Sequence, residues 1–398
     1  MAVANKITTT KSDATTFMKI ILNAIIAKPE GMGGFNVTKN FYLKTLEDKE
    51  NDWYYFVSDA FDKEMKGREN GIDEEHYFVF PTQPDFKHFF SGSRMIRQAE
   101  DSVQPDIVYS ILAPSYHRFK ATEVMRCANA WTVVGGVNKY ALKVTPLKYR
   151  LRYFLKAWLT RFQMRHTKYF ITQTEVAKKC ILRSVKTSPE NVCVVSNVLP
   201  EKYSKVEVNK VEHKGFNMVY ITSPAVHKDY LLLPEVASIL IRKYGIKDFK
   251  IHVTVPDNCN ELFLNKQAQY NVHDYFVNHG FLNLDGLVKC YLQSDMGLFP
   301  SLLETFSATL LEYMYFQLPI VASDLDFNRE VAKEAALYFE PHNPEDMAAK
   351  IYQAYSNDSI KQHLLEQATG RLSLFCNNAN KFAETVRFLD KIVYLERR

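Results

Sequence analysis

Asp295-Met296-Gly297-Leu298-Phe299-Pro300-Ser301-Leu302-Leu303-Glu304-Thr305-Phe306-Ser307-Ala308-Thr309-Leu310-Leu311-Glu312 contains the change of hydrophobic period that decides the fold. Asp295 to Phe299 is a short apolar run closed by Pro300, which reads as a buried parallel strand followed by a loop. Ser307 offers an N-cap, and Leu310, Leu311, Met314 and Tyr315 then recur at helical spacing. This order places Glu304 in the loop and Glu312 on the second turn of the helix. The first amides of such a helix, near Ala308, Thr309 and Leu310, have no intrahelical partner, and the helix dipole favours an anion beside them. A carboxylate on each side of a phosphate-sized site suits a ligand with both phosphate and hydroxyls, because carboxylates accept well from sugar hydroxyls. Two glutamates near a helix start also arise from dipole effects alone, so the rest of the chain must decide.

The same rhythm runs outward in both directions. Upstream, Met18 to Ile26 is a continuous apolar run, followed by Gly31-Met32-Gly33-Gly34 and a helical pattern through Phe41 and Leu43, which makes a strand-loop-helix unit. Further strands are expected at Trp53 to Val57, Ile107 to Tyr109, Trp131 to Val134, Tyr169 to Thr172 and Val192 to Val195. Pro200 to Gly215 is charged and lacks an apolar period, so it reads as a linker. A second series follows at Met218 to Ile221, Lys250 to Val255, Gly297 to Phe299 and Ile320 to Ala322. Two doubly wound parallel sheets of the Rossmann type are the expected α/β architecture.

At 398 residues and 46% hydrophobic content the chain can bury two cores. No apolar run reaches the roughly 18 residues of a membrane span. Residues 1–16 lack an apolar h-region and read as a disordered N-terminal extension. The six cysteines, Cys127, Cys180, Cys193, Cys259, Cys290 and Cys376, show no metal-ligand spacing, and a reducing cytoplasmic compartment is the expectation. The net charge of +5 is uneven: residues 1–200 carry 29 Lys and Arg against 20 Asp and Glu, and the remainder 21 against 25. The basic half is the one suited to an anionic partner.

Ser301 to Ser307, followed by Leu311-Glu312-Tyr313-Met314-Tyr315-Phe316-Gln317-Leu318-Pro319-Ile320-Val321, resembles the signature of retaining glycosyltransferases of the GT-B fold, family 4 (glycosyltransferases group 1). Glu304 and Glu312 match its Glu-x7-Glu pair, and Leu318 to Val321 its following strand. The resemblance implies a GT-B fold of two Rossmann-like domains facing an interdomain cleft. It divides the chain into an acceptor-side domain at 17–199, a linker at 200–215, a nucleotide-sugar domain at 216–376 and a C-terminal helix at 377–398 crossing back to the first domain.

The implied activity is that of a metal-independent, retaining hexosyltransferase, without a cofactor. It moves a sugar from a nucleotide-sugar donor to a glycan or lipid-linked acceptor, in cell-surface polysaccharide or lipopolysaccharide synthesis. Glu304 would contact the donor sugar and Glu312 the nucleotide ribose. Lys228 matches the family's phosphate-binding lysine, whereas Ser223 stands where an arginine is expected and His227 lies beside the clamp. Phe306, Ser307, Ala308 and Thr309 form the helix start that faces the diphosphate. Gly280 and Phe281, in His279-Gly280-Phe281-Leu282, resemble the segment whose backbone reads the base.

Gly33 and Gly34 resemble the loop that shapes the acceptor entrance, and Gly135-Gly136-Val137-Asn138 would also line the cleft. Relatives place a histidine near that strand end; Asn138 is the substitute, with His117 as a weaker candidate. Ser196-Asn197 resembles a structural step before the linker. Lys143 to Lys168 has no acidic residue and interleaves basic with apolar residues on a helical period, which fits peripheral contact with an anionic membrane at the inner face of the cytoplasmic membrane, or a core helix with a solvated basic face. No nucleic-acid-binding module accompanies the charge. Two other readings keep the fold: an epimerase-like enzyme, and a catalytically degenerate sugar- or nucleotide-binding scaffold, which Ser223 and the missing histidine favour. Without Gly-x-Gly-x-x-Gly after either first strand, a Rossmann dehydrogenase is disfavoured.

Overall fold

A computed structural model of the chain describes residues 17–29, 32–69, 71–81, 89–133, 138–203, 205–375 and 378–398. The expected extension at 1–16, together with Gly135, Gly136, Val137 and Cys376, lies outside the described residues. The fold is α/β, with two Rossmann-like domains built on parallel sheets. By compactness the chain divides into two units: the described residues up to Val124 together with Thr385–Arg398, and Met125–Glu384.

In the first unit β1 (Lys19–Ala24), β2 (Asp52–Ser58), β3 (Tyr77–Phe80) and β4 (Ile107–Ser110) lie in the order β3-β2-β1-β4, with parallel neighbours. Helices Met32–Glu47 and Phe89–Val103 serve as crossovers. Ile21, Phe56, Phe80, Ile96 and Val108 form a buried cluster on one face of the strands. The end of helix Asn378–Glu396 belongs to this unit, where Arg397 Nη2 donates to Asp106 Oδ1.

β5 (Glu123–Arg126) contains the boundary between the units. Within the second unit β6 (Tyr169–Thr172) pairs in parallel with β7 (Val192–Val194). A six-stranded parallel sheet follows, made of β8 (Phe216–Tyr220), β9 (Phe249–Val253), β10 (Phe276–Asn278), β11 (Met296–Phe299), β12 (Ile320–Ser323) and β13 (Ala336–Phe339). Its order is β10-β9-β8-β11-β12-β13. This is the 3-2-1-4-5-6 winding of dinucleotide-binding sheets, and the winding reverses between β8 and β11. β8 and β11 pair at Met218 with Met296 and Val219 with Gly297. Every residue of β8, β11 and β12 is buried, as strands covered on both faces require.

Gly297 explains how the helix after β11 is seated. A Cβ at this position would lie 2.5 Å from the Tyr313 ring, so only glycine lets that ring lie flat against the strand. Tyr313 then donates to the Val219 and Leu298 carbonyls at 3.1 and 3.0 Å, which binds helix Ala308–Tyr315 to both central strands. One expected strand is corrected: Trp131 to Val133 belongs to a short helix, Ala130–Val133. Asn129 starts that helix, its Oδ1 accepting from Thr132 N at 3.1 Å and its carbonyl from Val133 N at 3.0 Å. The strand of this region is β5, immediately upstream. Among the described residues no helix is long and apolar enough to cross a membrane.

Candidate functional site

In open α/β sheets, ligands bind at the carboxyl ends of the strands where the winding reverses. In the second sheet that point is shared by the segment after β8, which carries Lys228, and the segment after β11, which carries Glu304. The two side chains form an ion pair there, Lys228 Nζ against Glu304 Oε1, and Ser301 Oγ donates to the same carboxylate oxygen at 2.9 Å. Side-chain exposures of 21% for Lys228 and 13% for Glu304 leave the pair shielded but reachable. The two segments are also joined through backbone, Leu302 N donating to the His227 carbonyl at 2.7 Å.

The Glu304 loop is held by side chains from distant parts of the second unit. Asn138 Nδ2 donates to the Leu302 carbonyl, Thr174 Oγ1 to the Thr305 carbonyl at 3.1 Å, and Ser323 Oγ to the Ser301 carbonyl at 2.6 Å. Thr305 Oγ1 in turn donates to the Ala128 carbonyl at 3.1 Å. These bonds satisfy buried backbone groups of an irregular segment and fix the direction of Glu304. On the other side, Tyr220 donates its hydroxyl to the Lys228 carbonyl at 2.8 Å, and the Val226–Lys228 turn ends at Asp229 in the left-handed region, φ 53°. His342 Nδ1 lies 3.0 Å from both oxygens of the buried Asp229 carboxylate. Burial pushes the Asp229 carboxyl up, and the bond to Asp229 pushes the His342 imidazole up.

Ser307 holds the N-cap position of helix Ala308–Tyr315, as its sequence suggests, but its hydroxyl makes no capping bond. The first turn also has no acidic residue, so the positive end of the helix is uncompensated by its own side chains. Burial depresses the His227 imidazole to about 4, against the opposing pull of the nearby Glu304 carboxylate and with the Lys228 charge acting in the same direction as burial, so the ring is neutral at ordinary pH. Its ring meets Trp131 edge-on, with centroids 5.8 Å apart and planes at 89°.

Of the residues expected at the site, Glu304, Lys228, His227 and Asn138 are thus brought together. Asn138 is engaged at both ends of its amide, since its Oδ1 also caps helix Lys139–Val144 by accepting from Ala141 N at 3.0 Å. Its observed task is to hold the loop. Phe306 and Ser307 are buried and Ala308 and Thr309 half-buried at the helix start, while Ser223 is exposed after β8. Glu312 is buried, and Tyr291 donates its hydroxyl to Glu312 Oε2. Burial holds the Glu312 carboxyl above the usual carboxylate range, against the opposing effect of the Tyr291 bond.

Gly280 adopts φ 60° after β10, and Phe281 beside it is 73% exposed. Gly33 and Gly34 stand in the first turn of helix Met32–Glu47, and His117 is buried with Nδ1 3.1 Å from Ser93 Oγ. Ser301, Thr174, Ser323, Tyr220 and the Asp229–His342 pair were not anticipated. The partners of Thr174, Ser323 and Asp229 lie too far away in the chain for any spacing rule to link them, whereas Ser301 is only three residues from Glu304.

Among the described residues one group has metal-ligand geometry: His252, His279 and Cys290 bring ligand atoms within 4.8 Å of one another. Its two rings already bond each other, His252 Nδ1 to His279 Nε2 at 2.9 Å, and burial lowers both imidazoles, His252 to about 4. In that contact one ring donates its N–H and the other accepts it, so both nitrogens are already engaged with each other.

Residues 212–371 match the model of the family "Glycosyl transferases group 1", so the chain carries a glycosyltransferase group 1 domain of the GT-B type, a finding that supports a role in glycosyl transfer. An uncharacterized glycosyltransferase of Methanocaldococcus jannaschii is 28% identical over 102 residues, 25% of this chain and 26% of that protein's length. The whole fold is similar to that of sucrose-phosphate synthase from Thermosynechococcus elongatus, with TM-score 0.66, 10% identity and coverage of 95% of this chain and 99% of the other. It is likewise similar to HepE of Anabaena in complex with UDP and glucose (TM-score 0.66, 12% identity, 94% and 100% covered). The apo lipopolysaccharide outer core galactosyltransferase WaaB is a third similar fold (0.62, 14%, 93% and 98%).

Proposed function

We propose that this chain is a glycosyltransferase that moves a hexose from a nucleotide-sugar donor to a glycan or lipid-linked acceptor, with retention at the anomeric carbon. The observation that carries the reading is the Lys228–Glu304 pair at the β8/β11 switch point, beside a helix end without a side-chain cap. As the donor bond breaks, negative charge grows on the diphosphate. Lys228 and the amides after Ser307 are placed to accept it, as donors preorganised for charge that develops in the transition state. Glu304 meets the sugar hydroxyls and stabilises positive character at the anomeric carbon. The ribose falls to Glu312, whose carboxylate Tyr291 orients, and the base to the backbone around Gly280 and Phe281.

With His227 neutral and Ser223 in place of an arginine, Lys228 supplies the clamp's cationic side chain. The family domain supports this reading, as does similarity to a fold solved with UDP and glucose. A role in cell-surface polysaccharide or lipopolysaccharide synthesis agrees with similarity to WaaB. It also agrees with membrane contact by helix Leu147–Met164, which would place the protein at the inner face of the cytoplasmic membrane.

A thermal-shift panel of nucleotides and nucleotide sugars, followed by transfer assays with the donor it selects, tests the proposal. One nucleotide sugar is expected to raise the melting point by mass action. Glu304→Gln is expected to keep donor binding and to lose transfer by about 100-fold or more, the scale of removing one transition-state contact. If no nucleotide stabilises the protein at millimolar concentration, the donor site is wrong. If Glu304→Gln alters binding alone, the chain is a binding scaffold.

A further inference from the structure

Helix Leu147–Met164 presents its apolar side outward. Leu147, Leu151, Phe154, Trp158 and Phe162 are all more than half exposed and follow one another at intervals of three or four residues, a single stripe along the helix. Ala157, Thr160 and Met164 are the positions turned into the protein. Beside the stripe Lys148, Arg152 and Lys156 form an exposed basic row. An uncovered apolar stripe flanked by cations matches the charge and polarity of an anionic lipid surface.

At its C-terminal end the stripe runs into a cavity of about 300 Å³ lined by Trp158, Arg161, Phe162, Arg165, Cys180 and Arg183, with Val133 and Ser184 completing the wall. Trp158 and Phe162 stack at its rim, with centroids 6.0 Å apart and planes at 18°. Arg161 is partly desolvated, and its Nε donates to the Thr132 carbonyl at 2.9 Å, which fixes the plane of its guanidinium. No carboxylate lines this wall, and none of the three arginines forms an ion pair among the described residues. Helix dipoles account for Arg161 and Arg183, each in the last turn of its own helix. They do not account for three arginines lining one hollow whose wall holds no carboxylate; Arg165 and Arg183 are exposed there, and an anion would offset the like charges.

We infer that this cavity receives the phosphate of an anionic phospholipid while the apolar stripe lies among the acyl chains. The inference rests on the membrane contact proposed above and adds a defined headgroup site to it. Guanidinium forks match the oxygen pairs of a phosphodiester, and the aromatic rim sits at the level where amphipathic rings meet headgroups.

Flotation of the full chain with phosphatidylcholine vesicles, with and without phosphatidylglycerol, tests it. The protein is expected to prefer the anionic vesicles. Arg165→Gln/Arg183→Gln is expected to weaken binding well beyond about 25-fold, the loss that removing two surface cations produces wherever they lie, near fivefold each. Lys148→Gln/Lys156→Gln removes the same charge outside the cavity and is expected to cost clearly less. Melting points and the nucleotide-sugar response of both double variants, measured without vesicles, show whether fold and donor site are intact. Equal losses in the two variants would mean a diffuse electrostatic film and would overturn the cavity alone. Failure of the unmodified chain to float with either vesicle would overturn both the cavity and the membrane contact. Protection of the arginines by inorganic phosphate without preference for anionic vesicles would assign the hollow to a free anion and likewise overturn the inference.

Discussion

Glu312 carries a cost of burial. Its carboxyl is buried, which disfavours the charged form and raises its folded-state value above that of the unfolded chain. The sign follows from proton linkage: between the two values the folded state holds more protons, so stability falls as pH rises from the ordinary carboxylate range through the raised value. Glu312→Gln is therefore expected to raise the melting point, with little gain in acid and a growing gain toward neutral pH. The same change should weaken nucleotide binding by about tenfold or more, the scale of one charge-assisted hydrogen bond. Melting curves across pH, paired with titration calorimetry, separate the two effects. Unchanged nucleotide affinity would remove Glu312 from the ribose site and leave it as a core residue bonded to Tyr291. The Glu-x7-Glu spacing can be read from the sequence; the enclosure of its second member cannot, because Tyr291 comes from another helix.

Among the elements, β11 and its helix were legible because the period changes sharply across Pro300, from an apolar run to helical spacing. The alternation of strands and helices also implied the doubly wound order, and with it the switch point where Lys228 and Glu304 meet. Trp131 to Val133 misled because aromatic and β-branched residues favour strands, whereas the decisive residue was Asn129, whose side chain and carbonyl start a helix. β5 went unread because charged residues close both ends of its four-residue run. The loop tethers from Asn138, Thr174 and Ser323 had no local signal at all. Gly297 likewise looked like an ordinary strand residue until Tyr313 was found against it. Gly297→Ala is expected to destabilise the protein by about 1–3 kcal/mol, the usual penalty for overfilling a packed core. Chemical denaturation would measure this, and a loss within about 0.5 kcal/mol, the range of neutral substitutions, would show that the Tyr313 ring moves aside freely.

On the scale of the whole molecule, charge is distributed by task, with the basic excess in the first half of the chain that includes helix Leu147–Met164 and the acidic excess in the half with the glutamate pair. In the proposed mechanism Lys228 and helix amides meet the leaving diphosphate, so transfer is expected to need no bound cation. After exhaustive dialysis against EDTA the rate is expected to stay within about twofold, whereas a metal acting as Lewis acid is worth several kcal/mol. Loss of activity restored by added Mg²⁺ would contradict the proposed mechanism. The three tryptophans fall in three unlike settings: Trp53 is in the core of the first unit, Trp131 touches the His227 ring beside Lys228, and Trp158 stands exposed at the arginine hollow. The chain thus has intrinsic fluorophores at the proposed donor site and at the proposed membrane face, with a buried one as an internal reference. Single-tryptophan variants would let the arrival of a nucleotide and of a lipid surface be timed separately, with no label added.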